Sequence, residues 1–259
     1  MAEAIPPRLR AVLLPLGLAA ALLLGLECLV ASGHAPMSIA RPTAVAQLIG
    51  EEHAMLLQQV VPTVVVAGWG YVLSLLFALG LGFASYAWRR MELSVLTAGA
   101  ILSSIPIIAI APILSVWLGL SLPTRVLITC IICVFPLLVA IIQGLKASTH
   151  SERELFTVLA ASPWQRFRLL ALPSALPFVF VGMKVSAPLA VLGALVAEWN
   201  GAESGLGVVM LNAMFGLQIT RLWASVFIAC LLSSLAYAYV CVLEKLSGAQ
   251  DRPIMHTPT

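Results

Sequence analysis

Charged residues are scarce in this sequence. They make up 10% of the 259 residues, whereas 61% are hydrophobic and the mean hydropathy is +1.04. Soluble domains carry roughly a quarter of their residues as Asp, Glu, Lys and Arg. The composition therefore excludes an ordinary soluble domain and places most of the chain in lipid. The net charge of +3 is small and the basic residues are scattered, so the sequence also lacks the clustered basic residues typical of a nucleic-acid-binding protein.

The motifs of catalysis are also lacking. No G-x-x-x-x-G-K-[ST] run occurs, which excludes ATP binding through a P-loop. HExxH, GxSxG and mixed Cys/His clusters are absent, so we expect no catalytic activity, no cofactor and no metal. Cys130 and Cys133 form a CxxC pair, for which redox or metal chemistry is one interpretation. We favour two small apolar side chains on a buried helix, because no further ligand accompanies them.

Long apolar runs are what the sequence has in quantity. Residues 11–31 form a run of the length that spans a bilayer, about 20 residues. A cleaved signal peptide is the alternative, but its apolar core takes only about 7–15 residues. Five more apolar runs follow, at about 60–87, 95–118, 124–145, 174–198 and 222–243. The sequence therefore predicts an all-α membrane protein with six transmembrane helices.

Shorter segments connect these runs. A short amphipathic helix is expected near 43–58, and a turn at Asn200-Gly201 precedes an apolar stretch that is too short to span the bilayer. That stretch predicts an external re-entrant helix at about 204–217. The predicted organisation is a cytoplasmic N-terminus (1–10), a first transmembrane helix (11–31), an external segment (32–58), a core transmembrane domain (59–245) and a cytoplasmic tail (246–259).

The distribution of Lys and Arg predicts the orientation. If the N-terminus lies inside, ten basic residues fall in inner segments and three, Arg41, Arg125 and Arg221, fall outside. Cytoplasmic loops carry the excess of Lys and Arg in membrane proteins. Both termini are therefore expected in the cytoplasm.

The stretch from Ser151 to Pro177 is the longest polar interruption in the second half of the chain, and it carries two helix-start signals. Ser151 with Glu154 fits a capping box, and Ser162, Pro163 and Gln165 repeat the pattern with Pro at the first helical position. We predict a helix near 152–160, a bend, and a short helix near 163–171 that Leu172-Pro173 ends. This stretch is called the elbow below.

Prolines and charges inside the spans mark candidate functional positions. Pro106 and Pro112 follow Ser103 and Ser104 in the third span, where a hinged helix lining a path and an ordinary kink are equally good interpretations.

Lys184 and Glu198 are the two charges of the fifth span. They lie about 21 Å apart along a helix, too far for a direct pair. Lys184 faces a partner or a cavity, or extends to the inner surface. Glu198 caps an external gate, meets a partner subunit, or is an interfacial carboxylate, which we favour slightly.

The elbow resembles the EAA loop of permease subunits of bacterial ABC importers, in which E-A-A is followed by a glycine and a later L-P. Glu154 takes the place of the Glu, Ala160 that of the Gly, and Leu172-Pro173 that of L-P, while Leu155-Phe156 replace the two alanines. The run ASPWQRFRLLALPSALPFVFVGMKVSAPLAVLGALVAEWNGAESGLGVVM is similar to the taurine, sulfonate, nitrate and pyrimidine-precursor branch of these permeases. The resemblance covers about residues 40–245.

The resemblance implies a type I ABC importer permease fold and a non-catalytic subunit of the bacterial inner membrane. The implied partners are a second permease subunit, cytoplasmic P-loop ATPase subunits that bind the elbow as a coupling helix, an external solute-binding protein and membrane lipid. The implied solute is a small anion such as an alkylsulfonate, taurine or nitrate, or else a pyrimidine or vitamin precursor. The ATPase-docking residues would be Glu154, Ala160, Trp164, Arg166, Phe167 and Arg168. The translocation path would include Ser103, Ser104, Pro106, Lys184 and Glu198.

An ion-gradient-driven secondary transporter is the alternative from a different class. It predicts inverted repeats and ion-binding carboxylates near the middle of the membrane. The sequence displays neither feature.

Overall fold

The computed structural model describes residues 7–33, 36–88 and 90–248, which form helices joined by short turns. No strand occurs among these residues. In chain order the helices are α1 (Pro7–Ala31), α2 (Pro42–Glu51), α3 (His53–Ala87), α4 (Met91–Ser104), α5 (Ile107–Leu118), α6 (Leu122–Leu145), α7 (His150–Val158), α8 (Pro163–Arg166), a π-helical turn (Phe167–Ala171), α9 (Leu172–Glu198), α10 (Leu206–Phe215) and α11 (Ile219–Leu246).

Four helical segments are long and apolar enough to cross a membrane: His53–Ala87, Leu122–Leu145, Pro163–Glu198 and Ile219–Leu246. The helices α4 and α5 form a bent pair, which brings the number of spans to five if the pair is counted as one broken span. The predicted first span falls within α1, but the side chains of residues 7–16 lie outside the described part, so its crossing stays a prediction. The all-α membrane architecture is confirmed.

The predicted third span is a broken helix. The axes of α4 and α5 differ in direction by 93° across the short break that holds Ile105 and Pro106. Proline disfavours the helical conformation of the residue before it, and Ile105 is indeed extended, with ψ at 127°. Pro112, in contrast, lies inside α5 without interrupting it. The break is therefore much sharper than an ordinary proline kink.

Helix α6 lies at the centre of the bundle, packed on α3 and α9. Small residues allow these backbones to approach closely, as membrane helices commonly require. A Cβ atom on Gly82 of α3 would overlap Ile141, and one on Gly144 of α6 would press on the backbone of Ala175.

Cys133, one member of the CxxC pair, belongs to this core. It is fully buried, and its backbone oxygen accepts a hydrogen bond from the Ser186 hydroxyl at 3.2 Å. Cys130 is buried on the same helix. Among the described residues no group of three or more His, Cys, Asp or Glu could hold a metal. The burial of both thiols agrees with the interpretation that Cys130 and Cys133 are apolar core residues.

Two boundaries differ from the sequence-based prediction. The amphipathic helix ends at Glu51, and α3 begins at His53 instead of near residue 60. The last helix extends past residue 243, where the predicted span ends, to Leu246, so it contains Glu244. Residues 1–6 of the predicted N-terminal segment and residues 249–259 of the predicted tail lie outside the described residues.

Candidate functional site

Helix α7 of the elbow begins with a capping box, but not at the residues that the sequence pattern indicated. The Thr149 hydroxyl accepts a hydrogen bond from the Glu152 N–H at 3.3 Å, and the Glu152 carboxylate accepts one from the Thr149 N–H at 2.8 Å. The predicted box of Ser151 and Glu154 is wrong by two residues, because Thr149-x-x-Glu152 offers the same spacing two residues earlier. Glu154 is exposed and contacts His150 at 3.2 Å.

The end of α7 is closed by a backbone motif centred on Ala160. The Ala161 N–H donates to the Phe156 carbonyl, and the Ala160 N–H donates to the Thr157 carbonyl, both at 3.0 Å. This is a Schellman motif, which requires a left-handed residue, and Ala160 has φ at 49°. Glycine is favoured at such a position because it has no Cβ. The geometry explains why the family that the elbow resembles has Gly at this position.

The second helical segment starts as predicted but does not stop as predicted. Ser162 and Gln165 form the expected capping box at the start of α8. The chain then continues through the π-helical turn into α9, so Leu172-Pro173 does not end the helix. In the π turn the Leu172 N–H donates to Phe167, five residues back. This wider turn accommodates Pro173, which has no N–H to donate.

The inner side of the elbow is held to α3 by aromatic rings. The Phe167 ring lies 5.5 Å from the Phe83 ring in an edge-on arrangement and 5.4 Å from the Tyr86 ring. Trp164 stacks on Phe167 with ring centroids 5.6 Å apart. Phe167, predicted as a docking anchor, therefore packs against the bundle, whereas Trp164 remains 66% exposed.

Arg166 and Arg168 have different surroundings although they are two residues apart. The Arg166 Nε donates to the Ala161 carbonyl at 3.1 Å, so this half-buried side chain braces the bend of the elbow. Arg168 is exposed. Of the two predicted docking arginines, only Arg168 presents its side chain to solvent.

The outer side of the elbow carries an apolar surface that the sequence analysis missed. Leu155, Val158 and Leu159 are 55%, 83% and 65% exposed. Residues three and four positions apart share a face of a helix, so these side chains form one patch. The signal was present in the sequence, because Leu155 stands where the family has alanine. We call Leu155, Val158, Leu159 and Trp164 the outer elbow patch.

At the opposite end of α9, Glu198 is bound to the beginning of α10. Its Oε2 accepts a hydrogen bond from the Gly207 N–H at 2.7 Å. The next two N–H groups toward the start of α10 are bound by α3, the Leu206 N–H by Thr63 Oγ1 at 2.9 Å and the Gly205 N–H by Gln59 Oε1 at 2.8 Å. Glu198 is 1% exposed, so the favoured interpretation as a water-exposed interfacial carboxylate is wrong.

The other charged candidate, Lys184, is paired within the bundle. Its Nζ lies 2.5 Å from Oε2 of Glu244 on α11, and the two side chains are 20% and 8% exposed. Glu244 lies in the last turn of α11, which ends at Leu246, and an extension of Lys184 toward the inner surface stays a prediction. The remaining path candidates lie at the broken span: Ser103 and Ser104 end α4, and Pro106 precedes α5. Within the described residues no hydrogen bond or ion pair joins these three to Lys184 or Glu198.

Comparison with known proteins agrees with the fold and with the elbow. Residues 70–246 match the family model described as the binding-protein-dependent transport system inner membrane component. A formylaminopyrimidine transport permease of Halalkalibacterium halodurans is 34% identical over 71% of this chain and 74% of its own length. A putative aliphatic sulfonates transport permease of Bacillus subtilis is 26% identical over 69% of this chain and 65% of its own.

A third relative, a riboflavin transport system permease of Chloroflexus aurantiacus, is 29% identical over 63% of this chain and 60% of its own length. The family match covers more than half of the chain, including the broken span, the elbow and the Glu198 cap. The chain is therefore a member of the family of binding-protein-dependent transport system inner membrane components, and a permease subunit of an ABC importer.

Proposed function

We propose that the outer elbow patch is the surface that binds a separate cytoplasmic ATPase subunit. The observation that carries this proposal is the exposure of Leu155, Val158, Leu159 and Trp164 on a helix that is otherwise fixed at both ends. A few anchors, among which Trp is enriched, supply most of the binding energy of protein interfaces, and the contacts around them exclude water; Trp164 suits the first role and the three aliphatic side chains the second. Glu154 and Arg168 flank the patch with one charge of each sign and contribute to orientation.

The continuity of α8, the π turn and α9 supports a lever mechanism. These elements form a helix of 36 residues from Pro163 to Glu198, which corresponds to about 54 Å of helix. One end carries Trp164 of the outer elbow patch and the other binds α10 through Glu198. A displacement imposed on the elbow would therefore be transmitted along this continuous helix to the opposite side of the membrane. There the hydrogen bond between Glu198 and Gly207 would pass it on to α10.

The Phe167 ring stack suits the same mechanism. An elbow attached to the bundle only through its two chain connections would bend when an ATPase subunit pushed on it. The contacts of Phe167 with Phe83 and Tyr86 couple the elbow to α3 as well as to α9. Motion would consequently be shared by two spans, which is what opening and closing a path between helices requires.

The remaining parts of the transport system are proposed from the family. Two permease subunits, identical or related, would form one path in the bacterial inner membrane, with both termini and the elbow in the cytoplasm. An external binding protein would deliver the solute. Ser103, Ser104 and Pro106, at the break of the third span, remain our candidates for the path, because irregular backbone in a membrane is tolerated where it lines a cavity.

The solute is proposed from the relatives together with one ion pair. Relatives are named for formylaminopyrimidine, aliphatic sulfonates and riboflavin. Glu244 neutralises Lys184, so this cation of the spans offers an anionic solute no uncompensated charge. We therefore favour a pyrimidine-type heterocycle over a sulfonate. Uptake of both labelled solutes by cells with and without the gene would distinguish them, and uptake of the sulfonate alone would contradict this choice.

The docking proposal is tested by recovering the chain from its own cells in mild detergent and identifying the proteins that accompany it. We expect a P-loop ATPase to be recovered with the unaltered chain and to be largely lost with Val158→Asp, because a carboxylate would be buried in an apolar contact. Thr157→Ala is the control, since Thr157 is the residue before Val158 in α7 and does not belong to the outer elbow patch.

Equal recovery of the ATPase with Val158→Asp and Thr157→Ala would contradict docking through the outer elbow patch. A chain that accompanies no ATPase, and whose uptake collapses with the ion gradient while ATP is maintained, would instead support the secondary transporter.

A further inference from the structure

The elbow joins the bundle at the level where the hydrocarbon core of the membrane ends. Residues 126–145 of α6 carry no Asp, Glu, Lys or Arg and are followed by Lys146. About 20 apolar residues cross the hydrocarbon core, so Lys146 stands at its boundary. Helix α3 also carries no Asp, Glu, Lys or Arg. Trp88 follows its last residue and is 65% exposed. Tryptophan is enriched at the membrane–water interface, which places Trp88 at the same level.

A cavity opens at this level behind the elbow, on the side away from the outer elbow patch. Its volume is about 370 Å³. The ends of α3 and α6, the first turn of α4 and the inner face of α7 and α8 surround it. The polar and aromatic residues of its lining that matter here are Ser85, Tyr86, Glu92, Lys146, Arg153 and Arg166.

The charges in the cavity are unbalanced. Lys146 is paired with Glu92, which leaves the guanidinium groups of Arg153 and Arg166 without a carboxylate partner in the described part of the chain. Both arginines are held in place by uncharged acceptors: Arg153 donates to the Ser148 hydroxyl at 2.9 Å and to the Lys146 carbonyl, and Arg166 donates to the Ala161 carbonyl. Their positions are thus fixed while their positive charge is not neutralised.

We propose that this cavity binds the phosphate group of an anionic membrane phospholipid. The guanidinium fork matches the geometry of phosphate oxygens and binds them with charge-assisted hydrogen bonds. Basic pockets between membrane helices at the interface are suited to lipid headgroups. Leu93, which follows the lining residue Glu92 in α4, is 76% exposed and offers an acyl chain an apolar contact.

The site differs in kind from the proposed ATPase contact. Leu155, Val158 and Leu159 of the outer elbow patch are apolar and lie on the face of α7 opposite the residues that line the cavity, so an ATPase subunit and a lipid would occupy different faces of α7. A bound lipid would bridge α4, α6 and α7 through their charges. The proposal concerns the chain and the membrane alone, and it can fail or succeed whether or not an ATPase docks on the outer elbow patch.

The test uses the purified full chain in detergent without an ATPase. Binding of phosphatidylglycerol, phosphatidylcholine and inorganic phosphate is measured separately by native mass spectrometry and by the shift of the thermal unfolding midpoint. We expect phosphatidylglycerol to bind most tightly, and Arg166→Gln to weaken it about fivefold, the effect of one basic residue at a membrane surface. Arg168→Gln is the matched control, because Arg168 is exposed and does not line the cavity.

A second variant adds charge and leaves both arginines in place. Thr157 lines the cavity, so Thr157→Asp would put a carboxylate beside the guanidinium groups and compete with the phosphate. Loss of phosphatidylglycerol binding in Arg166→Gln and Thr157→Asp but not in Arg168→Gln supports the proposal. Unchanged binding in both cavity variants, an equal loss in the control, or tight binding of inorganic phosphate that the lipid does not displace would overturn it.

Discussion

The carboxylate of Glu198, the last residue of α9, accepts a hydrogen bond from the Gly207 N–H in the first turn of α10 at 2.7 Å. A carboxylate at a helix N-terminus satisfies a backbone donor that has no intrahelical partner and interacts favourably with the helix dipole. Gln59 and Thr63 of α3 bind the two preceding N–H groups. Three side chains from two spans thus perform the capping that a single Ser or Asp performs elsewhere, and they fix α10 to both spans.

Gly205→Ala tests this cap. Gly205 has φ at 130°, and a Cβ atom there would overlap the Glu198 carboxyl group. We expect the variant to release the start of α10, at a cost of about 1–3 kcal/mol from overpacking. Hydrogen exchange of residues 206–215 should accelerate. Gly80→Ala is the control, since a Cβ on Gly80 of α3 would have no atom within 4 Å. Unchanged exchange in Gly205→Ala would show that the cap does not hold α10.

The pair of Lys184 and Glu244 makes a second prediction. Each side chain is mostly buried, so removal of one partner takes away the charge that is paired with the other among apolar helices. We expect Lys184→Met and Glu244→Gln each to destabilise the protein by about 2–3 kcal/mol, somewhat less than a fully buried pair. The double variant should recover most of this loss. Additive losses in thermal unfolding of the two single variants and the double variant would show that the two residues are not coupled.

The elbow demonstrates how far the sequence determines local structure. The spacing of Ser162 and Gln165 correctly predicted the start of α8, because a capping box involves only residues three positions apart. The same rule failed at α7, where Thr149-x-x-Glu152 and Ser151-x-x-Glu154 fit equally well. The choice depends on where the chain leaves α6, and the hydrogen bonds from Arg153 to Ser148 and Lys146 favour the earlier register.

Contacts between distant segments were beyond the sequence analysis. The apolar runs predicted the spans because burial in lipid requires only local composition. The partner of Glu198 comes from α10, two further partners of the start of α10 come from α3, and the partner of Lys184 comes from the end of α11. Likewise, Leu172-Pro173 suggested a helix end, but the helix continues through a π turn that accommodates Pro173. The sequence did not reveal this turn, because it depends on the packing of Phe167 against α3.

Ala160→Gly should stabilise the elbow. Ala160 is left-handed, a conformation that costs an L-residue roughly 1–2 kcal/mol and costs glycine almost nothing. After the greater flexibility of glycine in the unfolded chain is allowed for, we expect a gain of about 0.5–1 kcal/mol. Slower hydrogen exchange in residues 150–158 would measure it. Ala161→Gly, one residue further on, should produce no gain, because Ala161 does not have a positive φ. Equal effects of the two substitutions would contradict this explanation.

Trp164 and Phe167 stack on each other, yet we predict that their replacement by Ala affects two different properties, ATPase recovery and thermal stability. Trp164 is 66% exposed and belongs to the outer elbow patch, so its removal should reduce recovery of the ATPase and leave the thermal unfolding midpoint nearly unchanged. Phe167 contacts Phe83 and Tyr86, and its removal should lower that midpoint, since an aromatic pair contributes about 0.5–1.5 kcal/mol beyond the area that it buries.

Measuring both properties on both variants separates docking from packing. If the stack served only to hold the elbow together, Trp164→Ala would lower the unfolding midpoint as Phe167→Ala does, and ATPase recovery would fall in proportion to stability in both. If both rings were docking anchors, neither substitution would change the midpoint. We expect a third result, because one ring faces α3 and the other faces solvent: the unfolding midpoint should fall mainly with Phe167→Ala, and ATPase recovery mainly with Trp164→Ala.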